Sequence, residues 1–312
     1  MKDRKGFSLI ELLIVIGIIA IFGGVMLSQF SGSTDSALAA SCMNNMRTLC
    51  NAVMADATKE EHYPSAGPYK YYKVRADKET GQPWQQGWLG HGKGEQNVSC
   101  YRDGSDNGEA QHYAITNGTI WRMMDGRDSA YVCPAHTKYC KNKKKPAPSW
   151  SYVMNSYFGW DNGRMAPEVY SGRRRYGEGY LKFMYGSKPE DRRRPPERVL
   201  LFAEIPYVDV GAQAPQWETS PSDANDMVLQ YKADSDEKAK ANKAGEGTTE
   251  SIGFNHKSGK NYFAHVSFAD GHCVRLVMPP DASKDDLMNL TTWLCTGLEY
   301  TFNGTRYEKV DQ

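Results

Sequence analysis

The hydrophobic residues of this chain fall into sharply different patterns along its length. From Phe7 to Leu27 the sequence is apolar almost without a break, and Glu11 is the one charge in the run. Twenty helical residues span about 30 Å, the thickness of a bilayer's hydrocarbon core, so the run predicts a membrane helix. Residues 28–36 interrupt it with small and polar side chains; Gly23-Gly24 and Gly32 are points where a helix would kink or locally melt. Apolar residues then return at helical spacing. Leu38, Cys42, Met46, Leu49, Val53 and Ala57 share one face, and Pro64 sets a limit on the helix. The expectation is one long N-terminal helix, membrane-embedded over 7–27 and amphipathic over 28–60.

Beyond residue 60 the period changes. Residues 64–112 are rich in Gly, Tyr and charge, and predict loops with short strands. Arg198–Ile205, RVLLFAEI, follows Pro195-Pro196 and predicts a buried strand. Two apolar-rich runs between Asn261 and Met278 flank Asp270-Gly271, a pair that favours a two-residue type I′ hairpin turn. Ser283 with Asp286 three positions on predicts a helix start, with Leu287, Leu290 and Leu294 facing inward. Asn303-Gly304 predicts a last hairpin, Tyr300–Phe302 against Thr305–Tyr307. Residues 209–250 are polar and include the near-repetitive DSDEKAKANKAGEGTTE, which predicts a mobile insertion. The fold class is α+β: the long helix, then a β-rich globular domain over 61–312 with large loop insertions.

Charge sets an orientation. Lys2, Arg4 and Lys5 outweigh Asp3 ahead of the apolar run, which keeps the N-terminus cytoplasmic and places residues after about 28 outside. The net charge of the chain is +1, which argues against a dedicated nucleic-acid binder. Seven cysteines in a disulfide-permissive compartment leave at least one free or paired between chains. Cys133 and Cys140 are close enough in sequence for a local disulfide; a metal site or free thiols are the other readings. The basic clusters Lys141–Lys145, Arg173–Arg175 and Arg192–Arg194 read first as solvated loops, and contact with lipid, polysaccharide or a partner is the alternative. Trp84, Trp88 and His91 would form either a binding patch or the packing of an irregular segment.

Glu11 is the anomaly of the apolar run. A carboxylate at the centre of a membrane helix costs about 2.5–3.5 kcal/mol. Near the cytoplasmic interface it would reach water, unless a cation is close. A chain cut between Gly6 and Phe7 would supply one: the new Phe7 amine would lie one helical turn from Glu11, on the same face.

The basic leader ending in Gly6, followed by Phe-Ser-Leu-Ile-Glu-Leu-Leu-Ile-Val-Ile, resembles the class III signal of type IV pilins and type II secretion pseudopilins. The resemblance implies a leader over 1–6, cleavage between Gly6 and Phe7 by a prepilin peptidase, and N-methylation of Phe7. It also implies that Glu11 pairs with the Phe7 amine of a neighbouring subunit in a filament raised from an inner-membrane assembly platform. Its fold would be pilin-like, the helix stripe packed on an antiparallel sheet. Cys42–Arg47 is similar to a helix segment common in large bacterial pseudopilin-like proteins. Cys133-Pro134 and Ser151–Asn155 fit the same group. His256 and Asp270-Gly271 resemble its histidine-then-Asp-Gly motif, with four extra residues between. An ordinary secretory signal, with Ala37-Leu38-Ala39 as its cleavage site, fits less well, because the apolar core is too long and carries Glu11. An unprocessed anchor explains the hydrophobicity but not the Gly-Phe junction.

Two functions follow as expectations. The first is a structural subunit of a type IV pilus-like or type II secretion pseudopilus filament. The alternative is a membrane-tethered extracytoplasmic binder of polysaccharide. No HExxH, Walker loop or GxSxG is present, so no enzyme and no cofactor are expected. His256, Asp270 and His272, with His265, are weak metal or catalytic candidates, and a hairpin with satisfied polar groups explains them more cheaply.

Overall fold

A computed structural model describes residues 9–60, 63–64, 66, 87–90, 100–101, 108–155, 158, 195–211, 213, 227–229, 251–297, 300–302 and 307–309. Over 9–34 only the backbone is described. Helix α1 runs unbroken from Leu9 to Glu60, 52 residues, so neither the glycines nor the polar stretch at 28–36 interrupts it. At 1.5 Å per residue it is about 78 Å long. Its apolar stripe is the one the spacing predicts. Cys42, Met46, Leu49, Val53 and Ala57 are buried, while Leu38 is half-covered. Among residues whose side chains are described, no helix is long and apolar enough to cross a membrane; the 7–27 run lies ahead of them.

The buried stripe lies against a 3-10 turn at Thr119–Met124, against helix α3 (Pro134–Asn142) and against the sheet. Helix α2 is Glu109–Thr116. The sheet is built from β1 (Tyr152–Asn155), β2 (Leu200–Glu204), β3 (Val228–Leu229), β4 (His256–Ser258), β5 (Asn261–Phe268) and β6 (Cys273–Val277). Strand β5 is its centre. Its second half pairs with β2, its first half with β4, and β6 pairs along the other edge, all antiparallel. Strand β1 extends the sheet antiparallel to β2, and β3 joins β1 in parallel. The sheet is therefore mixed at one edge rather than wholly antiparallel. All five residues of β2 are buried, as the run at 198–205 predicts.

Three sequence expectations change. The stretch 209–250 is not all insertion, because β3 falls within it and Met227 and Leu229 are buried; residues 230–250 lie outside the described residues. The turn after β5 is not type I′. Gly271 takes a φ of 96°, while Asp270 is absent from the positive-φ residues that a type I′ turn would require. Instead Phe268 accepts from Gly271 N and donates to His272 O, closing a three-residue loop, Ala269–Gly271, with glycine at the left-handed position. The last hairpin pairs β7 (Tyr300–Phe302) with β8 (Tyr307–Lys309), with Phe302 opposite Tyr307 rather than opposite Thr305. Helix α4 (Lys284–Thr296) carries the expected reciprocal cap: Asp286 N donates to Ser283 Oγ, and Ser283 N donates to the Asp286 carboxylate. Leu287, Leu290 and Leu294 are buried.

Candidate functional site

The densest polar chemistry among the described residues lies inside the domain, where the ends of β2 and β4 meet α1. Glu204 closes β2, an otherwise apolar strand, and is fully buried. The pleat aims it at two histidines. Its Oε1 accepts from His256 Nε2 at 2.9 Å and from His265 Nδ1 at 2.8 Å. Its Oε2 accepts from Asn255 Nδ2 at 3.3 Å. His256 opens β4 and His265 sits in β5, so one carboxylate ties three strands together. The backbone closes in around it: Gly253 N donates to Glu204 O, and a Cβ at Gly253 would come within 2.6 Å of the Ile205 backbone. Burial alone pushes the Glu204 carboxyl up, but the charges and hydrogen bonds of His256 and His265 outweigh it and hold the group down at about 2.

A disulfide flanks this cluster. Cys42, on the buried face of α1, is bonded to Cys133, the residue that caps α3, with Cα atoms 4.8 Å apart. The Cys133 sulfur is 3.9 Å from His256 Nε2 and 3.7 Å from the Tyr207 hydroxyl. Beyond Tyr207 lies a third buried histidine. His136 stacks on the Tyr207 ring, centroids 4.1 Å apart and planes within 5°. Its Nδ1 is 2.9 Å from Ser151 Oγ, and its Nε2 is 3.1 Å from Tyr101 Oη. Ser151 Oγ also accepts from Cys133 N. Burial drops His136 to about 3, so the ring is neutral at ordinary pH.

This arrangement ties elements together, and its geometry differs from that of a Cys-His-acid relay. In a Cys-His-acid relay the two imidazole nitrogens face opposite partners. Here His256 presents the same nitrogen, Nε2, to both Glu204 and Cys133.

The expected Cys133–Cys140 disulfide is not the one formed. Cys140 is a free, buried thiol and Cys133 pairs with Cys42. The reason is local: Cys133 caps a helix that carries Cys140 two turns on, about 10 Å along the axis, beyond the roughly 4.4–6.8 Å a disulfide spans. The His256, Asp270 and His272 candidates are likewise not one site. His256 pairs in register with Phe263, while Asp270 and His272 sit in the turn beyond Phe268, about 17 Å of strand away. There Asp270 Oδ1 and His272 Nδ1 are 2.6 Å apart, and the His272 ring stacks on Phe268. Glu204 and Cys42 were hidden in the sequence as the last residue of an apolar strand and as one member of a helix stripe. The signal for Glu204 was its being the lone charge between Val199 and Ile205.

Trp88 is core rather than surface. It packs edge-on to Phe202 and its Nε1 donates to Met227 O. Trp84, His91 and the arginine runs at 173–175 and 192–194 lie outside the described residues, as do Gly6 and Phe7. Glu11 lies in α1 at a position where only the backbone is described.

No curated protein and no solved structure matches the chain. Residues 1–27 match one family, described as the prokaryotic N-terminal methylation motif. The chain therefore carries, at its N-terminus, the prepilin signal of type IV pilins and pseudopilins, and with it the mark of a prepilin-peptidase substrate.

Proposed function

We propose that this chain is a structural subunit of a type IV pilus-like or type II secretion pseudopilus filament. The observation that carries the reading is a continuity. The motif at 1–27 runs into a 52-residue helix whose second half buries one face against the domain. Such a helix transmits position: a shift of its apolar end moves the domain with it. In this reading prepilin peptidase cuts after Gly6 and the new Phe7 amine is methylated. The apolar half of α1 spans the inner membrane with the domain outside. Subunits, alike or different, then bundle through these helices on an inner-membrane assembly platform. The domain decorates the filament and does no catalysis.

The test is the mass of the purified mature chain. The expected product starts at Phe7 and carries one added methyl group. A chain that retains Met1, or one that begins near Ser41 after an ordinary signal cleavage, overturns the reading.

A further inference from the structure

The disulfide accounts for two of four groups that converge on one point in the core. Cys42 from α1, Cys133 from the cap of α3, Glu204 from β2 and His256 from β4 place their ligand atoms within 4.8 Å of one another, and all four residues are buried. We propose that, when Cys42 and Cys133 are reduced, these four residues bind one divalent transition-metal ion of the Zn2+ class, so that metal and disulfide are alternative closures of the same joint. The inference stands on the described domain alone and is independent of the filament reading.

The donor set is the one such an ion selects: two thiolates, an imidazole and a carboxylate oxygen, in a closed site. Metal–sulfur bonds of about 2.3 Å and metal–nitrogen bonds of about 2.0 Å put tetrahedral ligand atoms roughly 3.3–3.8 Å apart. His256 Nε2 and the Cys133 sulfur are already 3.9 Å apart. The large change is between the two sulfurs, which must separate as the disulfide opens, and that separation makes the space for the ion. A supporting group is in place as well. His265 Nδ1 donates to Glu204 Oε1, the outer hydrogen bond that orients a ligating carboxylate. Two thiolates, a carboxylate and a dication leave one net negative charge beside that donor.

The chemistry balances without an added redox partner on the metal route. A chain with both thiols reduced gives up two S–H protons as the ion binds, and the proton His256 Nε2 now shares with Glu204 leaves that nitrogen, to Nδ1 or to solvent, so that its lone pair meets the ion. On the alternative route the same thiols lose two protons and two electrons to an acceptor disulfide, which becomes a dithiol, and the S–S bond forms. A bound ion holds both sulfurs and therefore slows that second route. Either closure ties α1 to α3 across the polar cluster.

The experiment uses the full chain in detergent. It is reduced with a phosphine, freed of reductant without oxygen and titrated with Co2+ and then Zn2+. Expected is one Co2+ per chain with an intense sulfur-to-metal charge-transfer band, displaced by Zn2+, and no such band in the oxidised protein. His256→Ala and Glu204→Gln should weaken binding by more than about tenfold, and Cys133→Ser should abolish the band. Each variant is first checked for folding in its oxidised form, where the disulfide, if present, is retained. Cys133→Ser is checked by its circular dichroism. The proposal is overturned if the reduced wild-type chain takes up no ion. It is overturned equally if the oxidised protein or Cys133→Ser binds as well as the reduced wild type, since the ion would then sit on other cysteines.

Discussion

Glu11 is the residue at which a bare anchor and an assembling subunit make different predictions. Removing it lowers the insertion cost by about 2.5–3.5 kcal/mol, so a mere anchor would tolerate Glu11→Ala or gain from it. A filament subunit would lose the partner of a neighbour's Phe7 amine where an unpaired charge is costly. Glu11→Ala and Glu11→Gln should leave cleavage intact and cut the filament sheared from cells, with Glu11→Asp intermediate. A normal yield from Glu11→Ala removes the assembly role. A second residue-scale prediction concerns the thiol of Cys273. Cys50, Cys100, Cys140 and Cys295 are buried, whereas Cys273 is half-exposed. A hydrogen bond from Cys50 holds the Cys273 thiol below its usual value. Brief alkylation of the native protein should label Cys273 first, and Cys50→Ala should slow it. Labelling spread evenly over the cysteines would contradict this.

Between elements, the bond from Cys42 to Cys133 does what packing alone would do less firmly. It closes a loop with a sequence separation of 91, joining the long helix to the start of α3. Loops of this length constrain the unfolded chain, and removing such a bond costs about 2–5 kcal/mol. Replacing both cysteines by alanine, with a chelator present, should lower the unfolding free energy of the domain by about that amount, read as an earlier denaturation midpoint. An unchanged midpoint would mean the contact of α1 with the sheet holds the helix by itself. The helix ends show the opposite economy. The Ser283–Asp286 cap and the left-handed Gly297 at φ 68° define α4 with local chemistry only.

Over the whole molecule, two buried groups make stability depend on pH in the same direction. His136 is neutral in the fold, with its value dropped from an ordinary 6.5 to about 3. Between those values the unfolded chain binds a proton that the folded chain refuses, so stability falls as pH drops below about 6.5. Glu204 is held at about 2, below an ordinary 4.5. Its contribution is complete above 4.5 and is lost as pH falls through about 2, again because the unfolded chain binds more protons. Denaturation midpoints should therefore decline in two stages, first from His136 and then from Glu204 as well. His136→Gln should flatten the first stage, between about pH 6.5 and 4.5; a slope unchanged by that substitution would assign it elsewhere.

Sequence by itself determined the parts of this protein that are written in adjacent residues. The apolar run, its basic leader and the Gly6-Phe7 junction are contiguous, and the motif match at 1–27 rests on them. The stripe from Cys42 to Ala57, strand β2, the place though not the type of the turn at Gly271, and the capped helix α4 were legible because period, glycine and caps act within a few residues. Tertiary structure alone decided the rest. Glu204 meets His256 and His265 across separations of 52 and 61 residues, and Cys42 meets Cys133 across 91. No local pattern encodes such meetings. They depend on which edge of β5 receives β2 and β4 and on which face of α1 turns inward, and those choices are made by the burial of the whole apolar surface at once. Local geometry even misled at Cys140, where nearness in sequence became two turns of helix.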